Sequence, residues 1–331
     1  MKNLFALSFI LIGLMSCRNI ITPEPVKLQG EAQGTYYAIT YYDSEERNFA
    51  QEIDSLLTYF DQVASVYEPN SIISKVNKNQ PYELNDIFLE IYKEGMEVSR
   101  KTGGKFDMTV MPLVNAWGFG FETRQKLDSA QVDSLLKFVG YEKIRLKNEE
   151  LIKDVPGIRL DFNSIAQGYS VDWLADFLES KGIENYLVDV GGEVFASGKK
   201  PGGDFWKVGI EKPARNKSDA REIKDVVALK DKALATSGSY RKYYEENGVR
   251  YSHTINPETG YPVKHSLLSA SVLADKAVTA DAYATAFMVM GLEESKDFIN
   301  KNPDLEAYFI YSDRDGELKT HYTQGVRELL Y

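Results

Sequence analysis

An aspartate and a threonine one helical turn apart, set in a run of alanines, are the side chains in this chain most suited to hard-cation chemistry. The stretch is Ala277 to Gly291, AVTADAYATAFMVMG. Its alanines and other helix formers predict a buried helix, and Gly291 is a natural stop just past its end. Thr279 is the expected N-cap, which puts Asp281 in the first turn. Asp281 and Thr285 are then i, i+4 neighbours on one face. A carboxylate and a hydroxyl together form an oxygen-only set, which suits Mg²⁺ better than zinc. The same two residues also have a plain structural use. Asp281 can complement the helix dipole, and Thr285 can bond back to a carbonyl. The rest of the chain must decide between these uses.

Further stretches combine glycine with polar side chains. Thr102-Gly103-Gly104-Lys105-Phe106-Asp107 can serve as a helix C-cap and turn, or let backbone approach a ligand. Gly157 to Asp172 reads as a strand, a tight loop and a helix opening. Such a loop offers free N–H groups to phosphate and free carbonyls to a cation. It has neither a Walker lysine nor a GxGxxG fingerprint. Val190-Gly191-Gly192 ends a strand, where paired glycines mark a tight turn or a close backbone approach. Ala235 to Arg241 is small and hydroxyl-rich. Tyr251 to Pro262 runs from a strand into a turn defined by proline and glycine. It carries His253, which can titrate near neutral pH and act as a base or an orienting group.

The elements that must position these residues follow from periodicity. Strands are expected at Gly34–Tyr42, Ile144–Leu146, Asn185–Val190, after Gly191-Gly192-Glu193 to Ser197, Trp206–Ile210, Asp225–Leu229 and, as the last, Ala307–Tyr311, and Val272 to Ala274 leads into the alanine-rich helix. Helices are expected at Phe49–Phe60, at Ile72–Val76 capped by Asn70 or Ser71, and at Asp86–Thr102. Two more follow at Leu127–Val139 and from the Ser164 region to Gly182. The apolar run Met108 to Gly120 reads as core and ligand wall. The fold class expected is α+β.

Hydrophobic residues make up 43% of the 331, enough for a sizeable core, and a formal charge of -10 argues against nucleic-acid partners. The N-terminus differs from the rest. Lys2 precedes an apolar run from Leu4 to Met15, too short to span a bilayer. It ends in Leu14-Met15-Ser16-Cys17, a lipobox pattern, and Cys17 is the chain's single cysteine. The expectation is a signal peptide over residues 1–16, lipidation at Cys17 and a tether over 17–30. Residues 31–331 would then form the folded domain of an exported, membrane-anchored lipoprotein facing the periplasm or the cell exterior.

Taken together, these stretches resemble the ApbE family, the FAD:protein FMN transferases. The resemblance rests on Gly34-Thr35 after Gln33, on Gly103 to Asp107 followed by Pro112 to Gly120, and on Asp161 to Asp172. It rests further on Val190-Gly191-Gly192, Ala235 to Gly238, His253 to Pro257 with Thr259-Gly260, and Thr279-Ala280-Asp281 with Thr285. It implies a single domain of two packed lobes, with mixed sheets, flanking helices and FAD in the cleft. The implied activity is Mg²⁺-dependent transfer of FMN from FAD to a threonine or serine hydroxyl of a target protein, with release of AMP. Implied targets are flavin-acceptor subunits of membrane redox complexes or other exported flavoproteins.

By the same resemblance, the metal would be held by the Ser164 carbonyl with the side chains of Asp281 and Thr285. FAD contacts would fall at Gln33, Tyr67, Lys105, Phe106, Asp107, Asp161, Gln167 and Ile255, with the flavin among Tyr67, Phe106 and neighbouring aromatics. His253 or Asp281 would serve as base. The chain departs from the family pattern at Gln33, where many members carry methionine, and at Gln167, where many carry lysine or glutamate. It departs again at Asn256, in place of the more usual aspartate. Two other functions use the same residues. With water as acceptor the site would be an FAD pyrophosphatase, and without chemistry the chain would be a flavin-binding lipoprotein, which does not need a divalent cation.

Overall fold

The structure, a computed structural model, describes residues 24–120, 123–214, 219–239, 243–246 and 249–331. The chain begins with a hairpin of β1 (Val26–Ala32) and β2 (Thr35–Tyr41). Helices α1 (Ala50–Ala64), α2 (Ile72–Asn77), α3 (Asp86–Lys101), α4 (Met111–Ala116) and α5 (Ser129–Leu136) follow. A small hairpin of β3 (Ile144–Lys147) and β4 (Glu150–Lys153) leads to α6 (Ala166–Ser180). Next come β5 (Tyr186–Val190), β6 (Glu193–Ser197), β7 (Trp206–Glu211), β8 (Ile223–Leu229) and β9 (Lys232–Gly238). The chain continues through β10 (Tyr243–Glu246), β11 (Val249–Ser252), β12 (Leu267–Ala274), α7 (Ala277–Met290) and α8 (Leu292–Ile299). It ends with β13 (Glu306–Ser312), β14 (Leu318–Tyr322) and α9 (Gln324–Leu329).

Eight strands build the central sheet in the order β1-β2-β5-β6-β9-β12-β13-β14. The fold class is α+β, as the sequence indicates. The pairings within this sheet are all antiparallel, where mixed sheets are expected. Two of its hairpins close through two-residue turns whose residues both take positive φ: Gln33 (53°) with Gly34 (72°), and Gly191 (68°) with Gly192 (111°). That backbone matches the strand twist, so each turn reverses the chain directly into an antiparallel partner.

Each sheet face buries a separate cluster. On one face Tyr37, Ile39, Val188, Val190, Ala270 and Val272 pack with residues of α1, α3, α6 and α7. On the other, Val194, Ala196, Leu234, Leu273, Tyr308 and Ile310 pack under Trp206, Ile210, Val227 and Leu229 of the β7–β8 hairpin and Val326 of α9. A smaller third cluster joins Leu113 and Trp117 to Val132, Val139 and Ile255. Helix α7 is buried over most of its surface, against α6, β9 and β12. Its alanines permit this, because small side chains let neighbours approach from several sides.

Several expected boundaries move. Strand β1 starts at Val26, so residues 26–30, assigned to the tether, belong to the sheet, and Cys17 lies outside the described residues. The run Met108 to Gly120 contains a helix, α4, and β14 follows the strand expected to be last. Gly157 to Phe162 forms no strand. Instead the Asn77 amide acts as its backbone partner, donating to the Leu160 carbonyl at 2.7 Å and accepting from the Leu160 N–H at 2.7 Å. A single side chain thus does locally what a neighbouring strand would do.

Candidate active site

Helices α6 and α7 lie antiparallel and touch along their N-terminal halves. Gly168 allows it. A Cβ built there would stand 2.4 Å from the Ala277 carbonyl oxygen and 2.7 Å from the Asp281 Cβ. The contact brings the Gly168 N–H, in the first turn of α6, to the Asp281 carboxylate, whose Oδ2 accepts at 3.0 Å. Asp281 is 6% exposed. Burial, with a lesser contribution from the Asp172 charge, pushes its carboxyl up to about 7 despite the Gly168 bond.

The N-cap of α7 is not Thr279 but Lys276, so Asp281 sits in the second turn. The Thr279 hydroxyl donates instead to Glu94 of α3 at 2.8 Å. The α7 N-terminus is satisfied from outside. Asp172 of α6 accepts from the Ala277 and Val278 N–H groups at 2.7 and 2.9 Å. Nothing in the local sequence marks that role, because the donors and the acceptor lie more than a hundred residues apart.

Thr285, one turn beyond Asp281, comes within 3.3 Å of the Ser237 hydroxyl on β9. Ser164 lies in the turn immediately before α6. Gln167, the second residue of α6, abuts the β5–β6 turn. A Cβ on Gly191 would lie 2.4 Å from Gln167 Nε2 and 2.8 Å from Thr35 Cγ2. Two positions before Thr35, the Gln33 amide is buried at both polar atoms and has no hydrogen-bond partner. An unpaired buried amide is costly in the protein alone and suits a site that a polar ligand completes. Close approaches therefore run from Thr35 through Gly191, Gln167 and Gly168 to Asp281, and along α7 to Thr285 and Ser237.

On the chain leading into α6, Asp161 is buried, accepts from the Asn163 N–H at 2.9 Å, and has its carboxyl raised by that burial. Tyr67, 62% exposed, stands beside it, with the Asn163 side chain on its hydroxyl. The Asp161 N–H donates to the Met108 carbonyl at 2.7 Å, which ties in the 102–109 loop. Within that loop Asp107 is occupied structurally. Its Oδ1 accepts from the Thr109 N–H and hydroxyl at 2.7 and 2.6 Å, and its Oδ2 from the Tyr141 N–H at 2.8 Å.

The sequence expects Phe106 in an aromatic wall beside the flavin. At 1% exposed, its ring belongs to the main core. The Phe106 N–H donates to the hydroxyl of Thr102, the C-cap of α3, at 3.2 Å. Lys105 reaches Glu258 at 3.4 Å and Glu294 at 3.6 Å. Trp117 Nε1 donates to the Gly260 carbonyl at 2.8 Å, and the ring of Phe119 meets His253 edge-on at 6.3 Å. These contacts hold the His253–Gly260 loop to α4. Ile255 is buried in the small third cluster.

Among the described residues no three His, Cys, Asp or Glu side chains gather as a metal cluster. A cation at the α6–α7 seam would have one protein carboxylate, Asp281, with hydroxyl and carbonyl oxygens. Such a set fits Mg²⁺, which retains water and takes phosphate oxygens rather than a full protein cage. The buried Asp281 carboxylate fits a cation as well, since a nearby positive charge offsets the burial that raises its pKa.

The family model described as "ApbE family" matches residues 33–309. This chain belongs to the ApbE family. A relative named FAD:protein FMN transferase from Vibrio cholerae is 38% identical over 303 residues, 88% of this chain and 89% of the relative. One of the same name from Haemophilus influenzae is 36% identical over 320 residues, 92% of this chain and 91% of the relative. Among solved structures, the flavin transferase ApbE from Vibrio cholerae is 34% identical and matches with a TM-score of 0.81, covering 92% of this chain and 99% of its own. The apo flavinyl transferase ApbE from Pseudomonas stutzeri, 30% identical, gives a TM-score of 0.84 over 94% and 98%. Of the ApbE stretches that the sequence singles out, Asp161 to Asp172, Gly191-Gly192, Ala235 to Gly238 and Thr279 to Thr285 thus meet at the α6–α7 seam, while Lys105 and Glu258 tie the 102–109 and 253–260 loops to each other. The contributions of Asp172 and Ser237 emerge only from the folded chain.

Proposed function

We propose that this protein is an FAD:protein FMN transferase that moves FMN from FAD onto a threonine or serine hydroxyl of a target protein, in a Mg²⁺-dependent reaction. The observation that carries the reading is the α6–α7 seam. A buried carboxylate, fixed by a backbone N–H and followed one turn later by a hydroxyl, offers hard oxygens for a divalent cation, which a protein that only holds a flavin does not need. It is useful for cleaving a diphosphate.

The reaction forms a bond from the acceptor oxygen to the FMN phosphorus and breaks that phosphorus's bond to the bridging oxygen, which leaves with AMP. The acceptor proton passes to a base. A bound Mg²⁺ would neutralise the diphosphate and stabilise charge on the leaving oxygen. Asp281, with the Ser164 carbonyl and Thr285, would hold that ion. The Gly168 N–H fixes one carboxylate oxygen, so the other has a defined direction. A carboxylate engaged with a cation is a weak proton acceptor, which favours His253 over Asp281 as the base. Gln33, Tyr67, Lys105, Asp161 and Gln167 would orient FAD.

The reading extends to location and partners. The lipobox at Cys17 supports export and lipid anchoring, and acceptors would be subunits of membrane redox complexes or other exported flavoproteins. The net charge of -10 supports the exclusion of nucleic acid.

The test mixes the protein with FAD, Mg²⁺ and an acceptor domain bearing its target threonine, and reads the acceptor's intact mass alongside free FMN. An FMN-sized gain that requires Mg²⁺ and is lost in Asp281→Ala is expected. Free FMN with unmodified acceptors would instead assign a pyrophosphatase, and full turnover by Asp281→Ala would remove the metal from the seam.

A further inference from the structure

Helices α6 and α7 cap each other. Asp281 of α7 accepts from Gly168, the third residue of α6, and Asp172 of α6 accepts from Ala277 and Val278, the first two residues of α7. Neither helix has a side-chain cap of its own. First-turn N–H groups have no intrahelical acceptors, so here each helix supplies the other's. The two caps occupy one antiparallel contact. The step from 168 to 172 on α6 runs against the step from 281 to 277 on α7. Gly168 closes the contact between them, leaving no room for a Cβ.

We infer that Asp172 is the positioning residue for Asp281: by pinning the first turn of α7 to α6 it sets where the Asp281 carboxylate stands relative to the Ser164–Gly168 turn. The inference rests on the proposed metal role of Asp281 and goes beyond it, because Asp172 need touch neither cation nor substrate. Its two carboxylate oxygens serve two successive N–H groups, one each. An amide cannot reproduce this, since its NH₂ would face an N–H. Loss of one bond frees the α7 start to shift along α6. Asp281 is one turn away, so a shift there moves the carboxylate with it. Supporting groups of this kind change metal affinity by about tenfold to a hundredfold when removed.

The test uses the full-length protein, with Mn²⁺ as a spectroscopic probe in place of Mg²⁺. Free Mn²⁺ is followed by electron paramagnetic resonance in wild type, Asp172→Asn, Asp281→Ala and Asp176→Asn. Asp176 lies one turn further along α6 and is exposed, so its variant removes the same charge without touching the cap. The expected result is a Mn²⁺ dissociation constant raised about tenfold or more in Asp172→Asn and within about twofold of wild type in Asp176→Asn. An unchanged constant in Asp172→Asn, or an equal loss in both variants, overturns the inference.

Hydrogen exchange on the metal-free proteins supplies an independent arm. Asp172→Asn should lose protection over residues 277–281 while β13 keeps its own. Retained protection at 277–281 overturns the inference. Wild-type Mn²⁺ binding that Asp281→Ala leaves intact would overturn the underlying metal assignment instead, whatever Asp172→Asn does.

Discussion

Gly168→Ala adds one methyl group at the helix crossing and tests whether the α6–α7 distance governs activity. The added Cβ would lie 2.4 Å from the Ala277 carbonyl oxygen, 2.8 Å from its carbon and 2.7 Å from the Asp281 Cβ. Ordinary contact needs about 3.5 Å, so the seam must open by about 1 Å. Two of the three obstructing atoms are backbone, so a rotamer change cannot relieve them. Overpacking of this kind costs about 1–3 kcal/mol. Alanine in a helix interior recovers about 1 kcal/mol relative to glycine. The net loss is about 0–2 kcal/mol, a fall of a few degrees in melting temperature at most. The catalytic effect should be much larger, because a displacement of about 1 Å in a positioned group can cost about a hundredfold in rate. The assay pairs thermal unfolding with the rate of FMN attachment, read by acceptor mass. A folded Gly168→Ala protein with a rate within about threefold of wild type would refute the claim that the seam sets the geometry of Asp281.

Asp107→Asn should destabilise the protein by about 1–3 kcal/mol, because one of its two acceptor oxygens becomes an NH₂ facing either Thr109 or the Tyr141 N–H. If the side chain acts only through the loop, the unfolding midpoint will move while FAD affinity at low temperature stays near wild type. A large loss of FAD affinity without loss of stability would instead make it a direct contact. The Asp43 carboxyl is held down to about 2, first by the hydrogen bond from Arg47 and then by the Glu45 and Arg47 N–H groups. Its stabilisation is therefore complete above the unfolded pKa of about 4 and is lost as pH falls through about 2. Melting temperatures between these limits should fall less steeply in Arg47→Met than in wild type, and identical slopes would exclude the pair as a contributor.

The sequence by itself determined the elements whose signals are local. Alanine density predicts α7 and Gly291 its end, and Gln33-Gly34 and Gly191-Gly192 mark turns that reverse the chain. The Asp281–Thr285 pair is legible because helical spacing fixes which side chains share a face. Family membership was readable for a similar reason, since short motifs keep their order along the chain wherever the chain folds.

What the tertiary structure decided depends on residues far apart in sequence. Thr279 looks like an N-cap, but Glu94 takes its hydroxyl, and Asp172 takes the N–H groups it would have served. Phe106, beside a lysine and an aspartate, looks like ligand wall but turns into the core. Gly157 to Phe162 has strand composition, yet Asn77 supplies its pairing. In each case a backbone or side-chain group found a long-range partner that no local window contains. Gly168 is the sharpest example, an ordinary residue of a helix start in the sequence and, in the fold, the position at which two helices can come close enough for Asp281 to reach a backbone N–H.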